Sequence, residues 1–211
     1  MKIVRFTDAD FADQLREVTT PSSLFDPEIE QRTRAILDDV QARGDDALVE
    51  LTERFDGATL TPEQLAVTSE ELLAASLKAD LSLRAVVAEA EKNIANFAKK
   101  SRRKDWQTIN SHGAKVGEKF DPFQRVGVYV PGGTAPLVST ALMTITLAKV
   151  AGCQDIVVCT PCGKDGSINP ALLFAARAAG ATEIYRVGGA QAIGAMAYGT
   201  KTIRRVQKIF G

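Results

Sequence analysis

The sequence has few residues of the kinds that carry metal or disulfide chemistry. It contains three cysteines and one histidine, and such a low, odd cysteine count argues against a disulfide framework. The four soft metal ligands, His112, Cys153, Cys159 and Cys162, lack the paired spacing of structural zinc sites. We therefore predict no metal site within this chain, and the cysteine usage favours the reducing cytoplasm.

Long apolar runs and an excess of one charge are also missing. No stretch reaches the ~20 apolar residues that a membrane helix needs, and the first ten residues lack the apolar core of a signal peptide. Because 26 basic residues balance 26 acidic ones, no overall field favours nucleic acid or an anionic membrane. The basic run at 99–104 is interpreted as a solvated helix end. A protein without nucleic-acid or membrane partners is expected.

The spacing of apolar residues changes near residue 120. Before it, helical periodicity dominates: Asp26 and Pro27 begin one predicted helix, and Thr68 with Glu71 forms a capping box before another. After it, short β-branched runs alternate with glycine turns and helices, which predicts βαβ units and a parallel sheet. The expected α/β protein has an N-terminal arm at 1–25, a helical part at 26–122 and a Rossmann-like part at 123–211.

The segments before residue 120 are predicted to pack rather than to react. The arm is expected to contain a short strand, KIVRF at 2–6, and a small helix from Phe11 to Val18. Two helical stripes are expected to face the core. They consist of Leu48, Leu51 and Phe55, and of Leu83, Val86, Val87, Ala90, Ile94 and Phe97.

Glycine-lined turns follow the first and third strands of the predicted sheet. The residues at these strand ends are Tyr129, Gly132, Gly133, Gly188, Gly189 and Gln191. Ligands of open parallel sheets bind at the carboxyl ends of the strands, where helix N-termini converge. Glycine leaves backbone N–H groups open to a phosphate, so the pattern favours a flat or phosphorylated ligand. Tight strand–helix turns alone would also require glycine, and both interpretations stay open at this point.

The second strand ends in Cys159-Thr160-Pro161-Cys162, where a dinucleotide fingerprint would have a carboxylate. A C-x-x-C pair at a helix N-terminus is typical of redox proteins. Here the segment GKDGSIN separates the pair from the next helix, which begins near Asn169 with Pro170 at its first position. This separation favours a structural role for both cysteines, with a dithiol redox protein as the alternative.

The strings VGVYVPGGTAPLVSTALM, GGAQAIGAMAYGT and KIFG resemble the histidinol dehydrogenase family. The likeness extends from about Asp26 to the C-terminus. It implies an aldehyde-dehydrogenase-like fold of two Rossmann-type lobes, in which 26–122 is the helical part of an incomplete α/β lobe and 123–211 is the NAD-side lobe. It also implies a homodimer, one zinc ion per active site, and oxidation of L-histidinol to L-histidine with two molecules of NAD. At the positions that match, the resemblance implies that Tyr129 and Gln191 contact NAD.

The resemblance also implies which functional residues to expect elsewhere. In the family, the zinc ligands, a glutamate–histidine pair for proton transfer, the substrate-binding residues and an NAD-binding asparagine follow the position that Gly211 matches. We therefore assign no catalytic residue in this sequence. The chain is expected to be the N-terminal portion of a histidinol dehydrogenase, truncated relative to the family and inactive by itself. The alternative is a non-catalytic nucleotide-binding or interaction module of Rossmann-like fold.

Overall fold

A four-stranded parallel sheet lies at the centre of the larger of two structural units. The computed structural model describes residues 3–19, 26–132 and 136–211, and the two units are Met1–Ile36 and Leu37–Gly211. The predicted site residue Gly133 lies outside the described residues. The predicted division of the chain at residues 25 and 122 stays a prediction.

The first unit begins with a turn where the sequence predicted a strand. The Asp8 N–H donates to the Arg5 carbonyl at 3.0 Å, and the Arg5 N–H donates to the Asp8 carboxylate at 3.3 Å. Such local bonds compete with the pairing that a strand needs. The strand prediction is therefore wrong for residues 3–6, whereas helix α1 (Phe11–Thr19) confirms the predicted small helix.

The helices that follow α1 before residue 120 are α2 (Pro27–Arg43), α3 (Asp45–Asp56), α4 (Ser69–Lys78) and α5 (Leu81–Ser101). Helices α2 and α4 begin at the caps that the sequence predicted, whereas the caps of α3 and α5 were not predicted. Asp26 Oδ1 accepts a hydrogen bond from the Glu28 N–H at 2.9 Å. Thr68 and Glu71 form the predicted capping box of α4. A short 3-10 turn, Pro62–Gln64, lies between α3 and α4.

A hairpin that the sequence analysis did not predict follows α5. Strand β1 (Trp106–Ile109) pairs antiparallel with β2 (Lys115–Glu118). The turn depends on Asn110, whose Oδ1 accepts from the N–H groups of His112 and Ala114 at 3.0 and 2.9 Å. His112 is therefore an exposed turn residue.

Helices alternate with parallel strands after residue 120, as predicted. The strands are β3 (Arg125–Tyr129), β4 (Asp155–Thr160), β5 (Glu183–Arg186) and β6 (Lys208–Phe210), and the helices are α6 (Val138–Ala151), α7 (Pro170–Ala179) and α8 (Gly189–Tyr198). Asn169 Oδ1 caps α7 by accepting from the Ala171 N–H at 2.9 Å. The strand order is β5-β4-β3-β6, and each neighbouring pair is parallel. The predicted α/β fold is confirmed.

Different helices cover the two faces of the sheet. Val126 and Val128 belong to the apolar cluster that contains α6 and α7, and α4 and α5 pack against these two helices. Gly127 faces α8 instead, because a Cβ there would lie 2.5 Å from Met196 Sδ. The connection through α8 returns the chain across the sheet, so β6 lies beside β3. This reversal creates a switch point between β3 and β6, where open α/β sheets bind ligands.

Three apolar side chains that were predicted to face the core are exposed. Phe55, Val86 and Phe97 expose 51%, 61% and 74% of their surface. Leu83 and Val87, from the same predicted stripe of α5, do pack against the core. Helix α5 packs against α6 and α7. Val86 and Phe97 lie at the edges of its apolar stripe, outside the surface that is in contact with these helices.

Candidate functional site

The candidate site lies at the switch point of the sheet. Tyr129 is the last residue of β3, and Gly211 directly follows β6. A Cβ at Gly211 would lie 2.3 Å from the Tyr129 carbonyl oxygen, so the two segments approach each other this closely only with glycine at 211. The close approach places the end of β6 directly against Tyr129.

The side chain of Tyr129 reaches the first turn of α8. The Gly189 N–H donates a hydrogen bond to Tyr129 Oη at 3.0 Å. The first amides of a helix have no acceptor within it, and among the described residues no group accepts from the Ala190 or Gln191 N–H. The positive end of α8 therefore lies beside Tyr129, with backbone donors that have no partner among the described residues. The structure thus brings the predicted site residues of the first and third turns together.

The Gln191 side chain is buried beside the same helix end. It is 1% exposed, and its Oε1 has no hydrogen-bond partner among the described residues. That oxygen would lie 2.7 Å from a Cβ at Gly189, whose φ is +60°. Leaving a buried acceptor unsatisfied costs about 1–3 kcal/mol. The Gln191 carboxamide is therefore suited to a ligand that supplies an N–H or O–H donor.

Two of the predicted glycines pack against Pro161, which the sequence analysis did not single out. A Cβ at Gly132 would lie 2.3 Å from Pro161 Cγ, and one at Gly188 would lie 2.6 Å from Pro161 Cβ. Pro161 follows β4, so the ends of β3, β4 and β5 meet at this proline. Packing against Pro161 is enough to explain why both positions require glycine. That these glycines also let backbone N–H groups approach a phosphate stays a prediction.

The cysteine pair lacks the properties of a redox site. Cys159 is fully buried, and burial raises the pKa of its thiol to about 12. Burial also raises the pKa of the Cys162 thiol, and the nearby Asp56 carboxylate acts in the same direction. Reactive thiols instead have a lowered pKa. Both cysteines are free, and this environment supports the structural interpretation of the pair.

Zinc and membrane insertion have no structural support in the described part of the chain. No group of three or more His, Cys, Asp or Glu side chains that could hold a metal ion occurs there. The residues present do not fit the zinc ion that the resemblance implies. None of the described helices is long and apolar enough to cross a membrane.

A charged network lies at the opposite, amino-terminal edge of the sheet. Arg125 begins β3 and donates two hydrogen bonds to the Glu183 carboxylate, at 2.6 and 2.7 Å. These bonds lower the pKa of Glu183 to about 2. Asp155 and Arg204 complete the network. Because it joins the starts of β3, β4 and β5, its role is to hold the strands together.

The strand order and the position of the site define a Rossmann-like α/β protein. Comparison with known proteins then gives its family. The model of the family "Histidinol dehydrogenase" matches residues 20–211. The chain belongs to the histidinol dehydrogenase family, which is a family of oxidoreductases.

Individual relatives agree with this assignment. The chain is 49% identical to histidinol dehydrogenase from Symbiobacterium thermophilum over 187 residues, which are 89% of this chain and 43% of that protein. It is 42% identical to the enzyme of the same name from Bacteroides fragilis, over all of this chain and 48% of the relative. The crystal structure of histidinol dehydrogenase from Elizabethkingia anophelis matches with a TM-score of 0.82 and 37% identity, over 87% of this chain and 42% of that one.

The chain spans about half the length of the curated relatives that it matches. The comparisons confirm the family that the strings around Tyr129 and Gln191 indicated. They do not favour the alternative of a non-catalytic module, since the relatives carry the name of an enzyme.

Proposed function

We propose that this chain forms the NAD-binding part of a histidinol dehydrogenase, which oxidises L-histidinol to L-histidine in histidine biosynthesis. One observation carries the proposal: Tyr129, the N-terminus of α8 and the buried Gln191 carboxamide meet at the switch point of a Rossmann-like sheet. The substrate and the oxidant are proposed from membership of the family. A homodimer and a cytoplasmic location belong to the same proposal.

The residues at this edge fit a dinucleotide. The free amides at the start of α8 suit an anionic oxygen, and the unpaired Gln191 Oε1 suits a hydroxyl or amide donor of the ligand. Gly132 and Gly188 keep the surface around Pro161 free of side chains. NAD supplies the hydride acceptor when it is bound, and the task of these residues is to bind and orient it.

The catalytic and zinc-binding functions are not assigned to residues of this chain. With one histidine in the sequence, a histidine-rich metal site or a separate histidine base has no candidates here. We place these functions in the part of the family's length that this chain does not span.

Titration with NAD tests the proposal, with isothermal titration calorimetry as the signal. Wild-type chain is expected to bind NAD saturably, and Gln191→Ala is expected to weaken binding about tenfold or more, because a desolvated hydrogen bond is lost. Gln154→Ala is the matched control, because Gln154 is exposed before the amino-terminal end of β4. An absence of binding by the wild type, or equal affinities for wild type and Gln191→Ala, would overturn the proposal.

A further inference from the structure

We infer that Tyr129 is a positioning residue of the NAD site, acting on Gln191 through the Gly189 backbone. Its hydroxyl holds the Gly189 amide and thereby fixes the Gln191 carboxamide in the arrangement that receives the ligand. The inference rests on the proposed function. The proposed function gives Tyr129 a direct contact with NAD. The role inferred here is an additional one: Tyr129 forms the site before the ligand binds.

The Tyr129 backbone is held on both sides. It pairs with Cys159 of β4 in the parallel ladder, and Gly211 lies against its carbonyl oxygen on the side of β6. A tyrosine fixed in this way presents its hydroxyl at a constant position. The Gly189 N–H, 60 residues later in the chain, donates to that hydroxyl at 3.0 Å.

The backbone that donates this hydrogen bond is intrinsically flexible. Gly188 and Gly189 begin α8, and Gly189 has φ +60°. Two consecutive glycines have many accessible backbone conformations. Gly188 is held by its packing against Pro161, and the bond from the Gly189 amide to a fixed acceptor then selects one conformation. The Tyr129 hydroxyl therefore helps to fix the first turn of α8.

Gln191 depends directly on that conformation. Its Oε1 and Cδ would lie 2.7 and 3.3 Å from a Cβ at Gly189, so the carboxamide lies against the Gly189 Cα. A shift of Gly189 would therefore move the buried oxygen that we assign to the ligand. The Tyr129 hydroxyl meanwhile keeps its own proton to donate, since it acts as an acceptor towards Gly189.

Tyr129→Phe tests the inference, because it removes the hydroxyl and keeps the ring. Tyr198→Phe is the matched control, since Tyr198 is the exposed last residue of the same helix. Without ligand, hydrogen exchange of the Gly189 amide and the NMR signals of the Gln191 carboxamide are measured. We expect faster exchange and shifted Gln191 signals in Tyr129→Phe, and wild-type values in Tyr198→Phe. Unchanged Gln191 signals in Tyr129→Phe would overturn the inference, whether or not the wild type binds NAD.

Affinity for NAD is the second measurement. Tyr129→Phe is expected to weaken NAD binding about tenfold, from the loss of one hydrogen bond. In the Gly189→Ala variant the new Cβ already displaces Gln191. Adding Tyr129→Phe to this variant is therefore expected to lower the affinity for NAD only about twofold or less. Equal losses in both backgrounds would show that Tyr129 acts independently of Gly189, and that result would overturn the inference. Absence of NAD binding by the wild type would instead refute the proposed function.

Discussion

Tyr129 at the end of β3 and Gly189 at the start of α8 are joined by a hydrogen bond of 3.0 Å from the glycine N–H to the tyrosine hydroxyl. The bond crosses from the strand beside the switch point to the helix that follows β5. It brings two turns that are far apart in the sequence into one site.

Gly132→Ala is expected to destabilise the protein by about 1–3 kcal/mol, the usual cost of overpacking a filled site. The physical reason is the 2.3 Å distance between the new Cβ and Pro161 Cγ. Urea denaturation measures the change in the free energy of unfolding. Pro161→Ala removes the Cγ, so Gly132→Ala should lower the free energy of unfolding by less in the Pro161→Ala variant than in the wild type. An equal cost in both backgrounds would rule out the clash as the cause.

Acid is expected to weaken the fold through Glu183. Hydrogen bonds from Arg125 lower the pKa of Glu183 from 4.5 to about 2, so its ionised form stabilises the folded state above about pH 4.5. That stabilisation is lost as the pH falls towards 2, and we expect a decrease of about 2–3 kcal/mol in the free energy of unfolding. Urea denaturation between about pH 6, where Glu183 is ionised in both states, and about pH 2.5, which lies between its two pKa values, measures the decrease.

Glu183→Gln should remove most of this pH dependence, because the amide does not titrate. Glu89→Gln is the matched control, since Glu89 is exposed on α5, and this variant should keep the wild-type profile. A wild-type profile in Glu183→Gln would show that other carboxylates cause the acid sensitivity.

The cysteines are expected to react slowly in the folded protein. Burial raises the pKa of all three thiols, which reduces the thiolate fraction that alkylating reagents attack. Cys159, fully buried, should be alkylated by iodoacetamide only after unfolding, as mass spectrometry would show. Formation of a Cys159–Cys162 disulfide in the native chain under mild oxidation would contradict the structural interpretation.

The purified chain is expected to produce no NADH from L-histidinol. The described residues offer no group that could hold zinc, and the one histidine, His112, lies exposed in the hairpin turn. Absorbance at the NADH band during incubation with L-histidinol and NAD measures the activity. Formation of NADH at a rate proportional to chain concentration, and lost in Gln191→Ala, would contradict this assignment of functions.

Local sequence patterns predicted much of the fold. The β-branched runs that became β3, β4 and β5 and the caps at Thr68 and Asn169 depend on neighbouring residues alone, so their signals are readable without tertiary structure. The hairpin strands WQTI and KVGE were missed, because each is four residues long and exposed throughout. Phe55 and Phe97 were misplaced because helical periodicity does not show where a packing surface ends.

The sequence by itself determined the α/β class, the parallel sheet, the family, and the positions of Tyr129 at the end of β3 and of Gln191 shortly after β5. These follow from patterns within single elements and from strings that relatives share. Tertiary structure alone decided that the Tyr129 hydroxyl holds the Gly189 amide, that Pro161 lies against Gly132 and Gly188, and that Arg125 pairs with Glu183. Those contacts join residues on different strands and helices, so they exist only after the strand order β5-β4-β3-β6 has brought the segments together.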